Sequence, residues 1–412
     1  MGHPRGLAAL GHPRGLAAVG RPGANQLVGL ELVRVCLPLR TAWASEAGTF
    51  SHRDSLLVRA VLSCPGPGGR SELEGWGECG ALPEPTYSPE YTQAAAEVAA
   101  RYLVPALLRQ GTAGAAAVAP ALAPVKGHKM AKAAFEAALL DAELRAEGLS
   151  MGEFFASYSR TGQPVRTAVA AGVAVGRAGS TAELVGSVAR YVEQGYRRVK
   201  LKVAPGRDLA VVSAVRERWP DLALFADANG AYGRVPMAQT VALVRRLEEF
   251  ELACLEQPLG DEDLAGHAEL ARRTTVPICL DEALTSLPAV VAALDLGACS
   301  VVNVKAGRLG GYLEAVRVHD VCAGRGVPAW CGGMVETGVA RAANVALAAL
   351  SGFSLPGDLS ATGRFFEADL TSAIPLGRDG TLAVPSGPGL GVSVDTEAVG
   401  RWSTWRQWWP AG

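Results

Sequence analysis

The chain has 412 residues, 49% of them apolar and 19% charged, with a formal net charge of −1. That length suits two domains or one large barrel with additions, and the balanced charge gives no footing for a nucleic-acid partner. No apolar run approaches the roughly 18 residues of a membrane span, and eight cysteines without Cys-x-x-Cys spacing argue against a zinc ribbon or a disulfide scaffold and for a reducing cytoplasm.

The first residues carry a tandem repeat, Gly2 to Ala9 recurring as Gly11 to Ala18. Its apolar part is too short for the hydrophobic region of a signal peptide, so residues 1–25 read as a disordered extension, and His3 and His12 as part of a floppy tail rather than a metal site. From Leu27 the pattern is antiparallel β. A strand is expected over Val28–Leu39, a polar loop over Thr41–Thr49 that contains Trp43, and a hairpin of Ser55–Ser63 with Leu73–Cys79 around the Pro/Gly-rich turn at 65–69. Helical patterns follow over Glu90–Leu108 and Lys129–Glu147, the second stopped by Gly148. Residues 26–160 together read as an α+β capping domain.

Strands and helices then alternate. A strand over Ala168–Val175 precedes a helix opened by Ser180-Thr181-Ala182-Glu183, a capping box. The next strand, Arg198-Val199-Lys200-Leu201-Lys202-Val203, ends at Ala204-Pro205-Gly206. Later strands end at Asp227, Glu256, Asp281 and Lys305, in steps of 24 to 29 residues, about one βα unit each. A seventh strand is expected over Val327–Trp330 and an eighth, or its remnant, around Phe353–Leu355. The regular repeat predicts an α/β fold, a (β/α)7β or (β/α)8 TIM-like barrel over residues 161–380. Residues 381–412 are expected to return to the cap. Their tryptophans, Trp402, Trp405, Trp408 and Trp409, at helical spacing, suit packing against the cap or an oligomer partner better than a ligand site.

Chemistry in such barrels sits at the C-terminal ends of the strands. Lys200 and Lys202, two apart, share one strand face. Lysines at strand ends are common, but two adjacent ammonium groups lower each other's pKa, which makes a base near neutral pH. Asp227, Glu256 and Asp281 end adjacent strands, so their carboxylates can converge, and three clustered anions call for a cation between them. Oxygen ligands suit Mg²⁺, with Mn²⁺ or another divalent cation as substitute. Lys202 on the second strand and Lys305 on the sixth should face each other across the mouth. A small-molecule carboxylate between them can lose its α-proton to one lysine and regain it from the other, which is racemisation; with a β leaving group the same enediolate eliminates it. Lys200 tunes Lys202 and helps hold the carboxylate. Asn229 either adds a hydrogen bond or caps a loop.

Lys200-Leu201-Lys202, Asp227-Ala228-Asn229, Glu256-Gln257-Pro258, Asp281-Glu282 and Lys305 together resemble the ordered active-site signature of the enolase superfamily, muconate-lactonizing subgroup. Trp330-Cys331-Gly332-Gly333-Met334-Val335-Glu336-Thr337-Gly338, with Leu355-Pro356-Gly357-Asp358, resembles the o-succinylbenzoate synthase / N-succinylamino acid racemase family, also called N-acylamino acid racemases. The likeness runs from about Leu30 to Gly391. It implies Mg²⁺ on Asp227, Glu256 and Asp281, and Lys202 and Lys305 as the acid/base pair. In a synthase Lys202 alone would run a syn dehydration for menaquinone biosynthesis while Lys305 steadies the enediolate. It further implies that Gly332, Gly333 and Met334 line an acyl or succinyl pocket, that the Trp43 loop covers the site, and that the chain forms a homo-oligomer. Two departures stand out. Where relatives carry a basic residue and an aromatic, the loop here reads Trp43-Ala44-Ser45-Glu46-Ala47-Gly48-Thr49, and Gly172-Val173-Ala174-Val175-Gly176 lacks a hydroxyl that relatives have. Other readings of the residues are a dipeptide epimerase, a muconate cycloisomerase-like enzyme, a Schiff-base aldolase using Lys202, and a non-catalytic relative.

Overall fold

The computed structural model describes residues 25–45, 48–66, 69–111 and 113–412, and the tandem repeat lies outside the described residues. The first layer is an antiparallel meander of β1 (Gln26–Ser45), β2 (Gly48–Gly66) and β3 (Gly69–Cys79). The stretch expected to be a loop around Trp43 is strand. Trp43, Ala44 and Ser45 pair with Phe50, Thr49 and Gly48 beyond an irregularity after Pro38, because ladder bonds join backbone groups and do not require apolar side chains.

The helix expected over Glu90–Leu108 is built as α1 (Thr92–Val98), a π turn and α2 (Val104–Arg109). The π turn stands directly before Pro105, whose nitrogen has no hydrogen to donate. There follow α3 (Ala115–Leu122), α4 (Lys129–Glu147) and α5 (Met151–Tyr158). Helix α4 stops at Gly148, which is left-handed at φ 68°. Its alanine-rich face lies directly on β3. A Cβ on Gly77 would stand 2.0 Å from the Ala134 carbonyl oxygen, so glycine is what lets sheet and helix backbones meet.

The strand expected over Ala168–Val175 is two. β4 (Ala168–Ala170) pairs antiparallel with β12 (Thr381–Ala383), and β5 (Gly172–Val175) opens a parallel sheet. The sheet continues through α6 (Thr181–Glu193), β6 (Arg198–Lys202), α7 (Asp208–Arg218), β7 (Ala223–Asp227), α8 (Met237–Arg245) and β8 (Leu255–Glu256). It ends through α9 (Leu264–Arg273), β9 (Ile278–Leu280), α10 (Leu287–Leu296), β10 (Val301–Val304), α11 (Ala306–Leu309), α12 (Tyr312–Gly324), β11 (Ala329–Cys331) and α13 (Gly338–Ala348). At α6 the Ser180 hydroxyl does cap the Glu183 N–H, but the Glu183 carboxylate accepts from Gly179 rather than Ser180, so the box is half-formed.

The seven parallel strands run in sequence order from β5 to β11. The eighth position is filled by an irregular segment: Leu355 donates to Ala329 on one side and Leu359 accepts from Gly172 on the other. A Cβ on Gly357 would stand 2.3 Å from the Cys331 carbonyl oxygen, which is why this position is glycine. The chain then enters α14 (Thr396–Trp402) and β13 (Ser403–Pro410), which adds to the outer edge of β1 with Trp409 opposite Leu30 and Trp405 opposite Arg34. The terminal tryptophans therefore stand mostly on a strand, not a helix. Thr and Trp favour extended backbone, and β1 offers an edge to pair. Trp405 and Trp408 remain partly exposed. Among the described residues no helix is long and apolar enough to cross a membrane.

Candidate active site

Strand alternation positions the charged groups. Phe225 and Asp227, Cys254 and Glu256, Cys279 and Asp281, Val301 and Lys305 share inward faces. Phe225, Cys254, Cys279, Val301 and Trp330 form a small apolar cluster in the barrel interior, and the ionisable residues follow at the strand ends. Register sets Lys202 opposite Asp227 and Asp227 opposite Glu256. At this rim opens a cavity of about 490 Å³ lined by Lys200, Lys202, Asp227, Asn229, Asp281, Glu282, Lys305 and Asp358, with Trp43 and Tyr87 from the cap and Gly333, Met334, Arg364 and Phe365 from the barrel's last turns.

Lys200 Nζ lies 2.6 Å from Glu256 Oε2, 2.6 Å from Asp358 Oδ2 and 3.0 Å from Asp227 Oδ2. Lys202 Nζ donates to Asp227 Oδ2 at 2.7 Å and to Asn229 Oδ1 at 2.5 Å, so Asn229 does bond the lysine. Its amide nitrogen also donates to Glu282 Oε1 at 2.7 Å. On the opposite wall Lys305 Nζ donates to Asp281 Oδ2 at 2.7 Å and to the Tyr87 hydroxyl at 3.0 Å.

The lowering of Lys200 expected from its neighbouring lysine is not found. Burial pulls its pKa down, but the carboxylates of Asp227, Asp358 and Glu256 outweigh burial and hold it well above the ordinary lysine value. Lys305 behaves alike: burial lowers it, and the Tyr87 oxygen with Glu256 and Glu282 carries it upward. Asp227 is buried, which alone would raise it, yet Lys200 and Lys202 hold it below the usual carboxylate range. Glu282 is pushed up by burial and by Asp227.

Asp227, Glu256 and Asp281 are 2%, 0% and 1% exposed. Among the described residues no three acidic, histidine or cysteine side chains converge in a metal-holding arrangement; the carboxylates turn to the lysines instead. Their chemistry nonetheless fits a hard divalent cation. Three buried carboxylates end adjacent strands, and Glu282 Oε2 beside them is buried without a partner, an anionic oxygen that a cation would satisfy.

Gly333 and Met334 line the cavity as expected, whereas Gly332 backs Lys305: its Cβ would stand 2.8 Å from Lys305 Cγ. Several site residues were not anticipated. Arg308 pairs with Asp281, and Asn303 donates to Glu256 Oε1 at 2.7 Å. Asp358 bridges Lys200 and Arg198. Tyr87 lies in a Pro-rich turn with no periodicity to mark it. Asp358 did stand at the eighth-strand position, where its placement at a strand end was the available signal.

A family model described as "Enolase C-terminal domain-like" matches residues 183–399. The chain is 49% identical over 386 residues to an N-succinylamino acid racemase of Amycolatopsis sp, covering 93% of this chain and 99% of that one. It is 38% identical over 370 residues to an o-succinylbenzoate synthase of Geobacillus kaustophilus, covering 89% and 93%. Among solved structures, an enolase superfamily member from Listeria innocua Clip11262 superposes with a TM-score of 0.85 at 33% identity, over 94% of this chain and 100% of that one.

Proposed function

Because the chain belongs to the enolase superfamily, whose members depend on a divalent metal, we propose that it removes the proton α to a substrate carboxylate and racemises N-acylamino acids, N-succinyl ones among them. The observation that carries this reading is the placement of Lys202 and Lys305 on strands four positions apart in the sheet, both lining one cavity with buried carboxylates between them. Lys202 takes the proton from one face of the α-carbon and Lys305 delivers one to the other, with the roles exchanged in the reverse direction. Asn229 steadies the Lys202 amine and Tyr87 that of Lys305. Asp227, Glu256 and Asp281 are the residues to hold Mg²⁺, which would supply positive charge to the carboxylate as the enediolate forms. Lys200 holds the carboxylate layer together through its three acidic partners.

Racemisation leads because the relative at 49% identity carries that name. Syn dehydration to o-succinylbenzoate by the same proton abstraction is supported by the relatives at 36% and 38% identity that bear the synthase name. A cytoplasmic place of work agrees with eight unpaired cysteines. Assembly as a homo-oligomer is part of this reading.

The test is the wild-type enzyme with Mg²⁺ in D₂O, given N-succinyl amino acids beside the dehydration substrate. We expect α-deuterium uptake with loss of optical activity, abolished by EDTA and restored by Mg²⁺. Absence of uptake on every N-acyl substrate, or activity that survives EDTA with a borohydride-trapped adduct on Lys202, would replace this reading with a binding protein or a Schiff-base enzyme respectively.

A further inference from the structure

Gln257 directly follows Glu256 and stands at φ 41°, left-handed without being glycine. Such backbone persists only where the surroundings fix it, and it concentrates at functional sites. Here the surroundings are the two neighbouring strand ends. The Gln257 N–H donates to the Cys279 carbonyl in β9 at 2.9 Å, and its carbonyl accepts from the Gly230 N–H beyond β7 at 2.7 Å. The side chain is buried and engaged as well. Its Oε1 accepts from the backbone N–H groups of Asp281 at 3.0 Å and Ala283 at 3.3 Å, and its Nε2 donates to the Leu259 carbonyl at 3.2 Å. Backbone N–H groups only donate and a carbonyl only accepts, so the amide fits in this orientation alone.

The far end of this network is His267, fully buried in α9. Its Nε2 accepts from the Leu259 N–H at 3.1 Å, and its Nδ1 lies 2.7 Å from the Asp263 carbonyl oxygen. Because the Leu259 N–H only donates, Nε2 carries no proton and Nδ1 donates, so the ring is neutral. Burial agrees, holding its pKa below the ordinary histidine value. A helix side chain thus fixes Leu259, Leu259 fixes the Gln257 amide, and the amide fixes the turn that carries Asp281. Gln257 alone bonds the loops after β7, β8 and β9, the three strands that lead to Asp227, Glu256 and Asp281. Three carboxylates repel one another, so sharing one ion requires a spacing that neutral groups behind them hold.

We propose that Gln257 is a positioning residue, backed by His267, that fixes Asp281 against Glu256 and Asp227 so that the three acids close on one divalent cation. This rests on the proposed reading for the cation and deepens it by naming what keeps the ligands in place.

The experiment compares wild type, Gln257→Met, His267→Leu and His267→Gln. Mg²⁺ binding to the substrate-free protein is measured by calorimetry, stability by urea unfolding without Mg²⁺, and racemisation of an N-succinyl amino acid at low and saturating Mg²⁺. Loss of a partner that orients metal ligands costs about ten- to a hundredfold in affinity. Gln257→Met is expected to raise the Mg²⁺ dissociation constant by that factor, with racemisation lost at low Mg²⁺ and recovering at saturation. His267→Leu is expected to raise the constant less, and His267→Gln, whose amide oxygen takes the place of Nε2, to return it toward wild type. A role in folding alone would lower the unfolding free energy and leave Mg²⁺ affinity unchanged, and that result in Gln257→Met overturns the proposal. If Gln257→Met does not fold, His267→Leu decides, and wild-type affinity there overturns it equally. Racemisation by wild type beside unchanged affinity in the variants leaves the racemase reading standing without this assignment. Weakened affinity in the variants beside a wild type that exchanges no α-proton removes that reading and keeps the assignment.

Discussion

Gly332→Ala separates the two roles open to that glycine. As a pocket-lining residue, it would affect substrate affinity; as the backing of Lys305, it would affect the chemistry. The structure favours the second. A Cβ at 332 would stand 2.1 Å from Asn303 Oδ1, 2.8 Å from Lys305 Cγ and 2.9 Å from Lys305 Cε, where real contacts are not closer than 3.0 Å. The tightest contact is with Asn303, which is fully buried and donates to Glu256, so relieving it disturbs that carboxylate, and the two further contacts displace Lys305. A displacement of about 1 Å in a proton-transferring group costs roughly a hundredfold in rate, or about 2.7 kcal/mol of barrier. Polarimetry should therefore show racemisation down by about that factor, mostly in kcat. Deuterium exchange in D₂O should be impaired more for the enantiomer that presents its proton to Lys305 than for its mirror image. Gly333→Ala is the control in the same turn. Its Cβ would stand 3.0 Å from Glu336 Oε1, 3.2 Å from the Asp358 carbonyl oxygen and 3.4 Å from Arg341 Nη1, with neither lysine among its nearest neighbours, so its effect should be milder. If Gly332→Ala racemises within about threefold of wild type, the packing argument for Lys305 is wrong.

Lys202→Ala and Lys305→Ala should each abolish racemisation, and a Lys305→Ala enzyme with full racemase activity would end the two-base assignment. Asp281→Asn should raise the Mg²⁺ dissociation constant by about tenfold or more in calorimetry; unchanged affinity would remove Asp281 from the ligand set. Glu136 links pH to stability. Burial, only partly offset by the N–H groups of Leu313 and Tyr312, pushes its carboxyl from 4.5 up to about 7. The folded state thus holds this proton more tightly than the unfolded chain, so its contribution is most favourable below pH 4.5 and is lost as pH rises to about 7, by roughly 3 kcal/mol. Glu136→Gln should shrink the difference between urea unfolding free energies at pH 5 and pH 8, and an unchanged difference would show that Glu136 does not titrate there.

The barrel was legible because its signal is local and repeated. Each strand is a short apolar run, each ends in an ionisable residue, and strand alternation turns spacing into facing. Lys202, Asp227 and Glu256 needed nothing more to be placed side by side. What the sequence concealed depends on contacts between distant segments. Tyr87 reaches Lys305 across 218 residues, and no period marks a Pro-rich turn as part of a barrel mouth. The ladder around Trp43 was missed because backbone groups hold it while its side chains read as loop. The tryptophans near the C-terminus misled for the opposite reason: spacing of three fits a helix turn, but the vacant edge of β1 decided for a strand. The pKa of Lys200 was misjudged because its lysine neighbour is two residues away, while the carboxylates that outweigh it, Asp227, Asp358 and Glu256, lie 27, 158 and 56 residues later and meet it only in the folded barrel.

The cap is joined to the barrel by the same physics that builds the site. Glu78, at the end of β3, accepts from the Thr337 and Ala340 backbone N–H groups at the start of α13, and Glu136 in α4 accepts from Leu313 at the start of α12. Both are cap carboxylates seated on the positive N-terminal ends of barrel helices, where unpaired N–H groups and the helix dipole favour an anion. The two helices follow the strands that carry Lys305 and the Gly332 turn. Tyr87, from the same cap, bonds Lys305 itself. The rim around Lys305 is therefore completed by the cap, and a barrel freed of the cap would retain Lys202 with Asp227 and Lys305 with Asp281 but leave Lys305 without Tyr87 and α12 without Glu136.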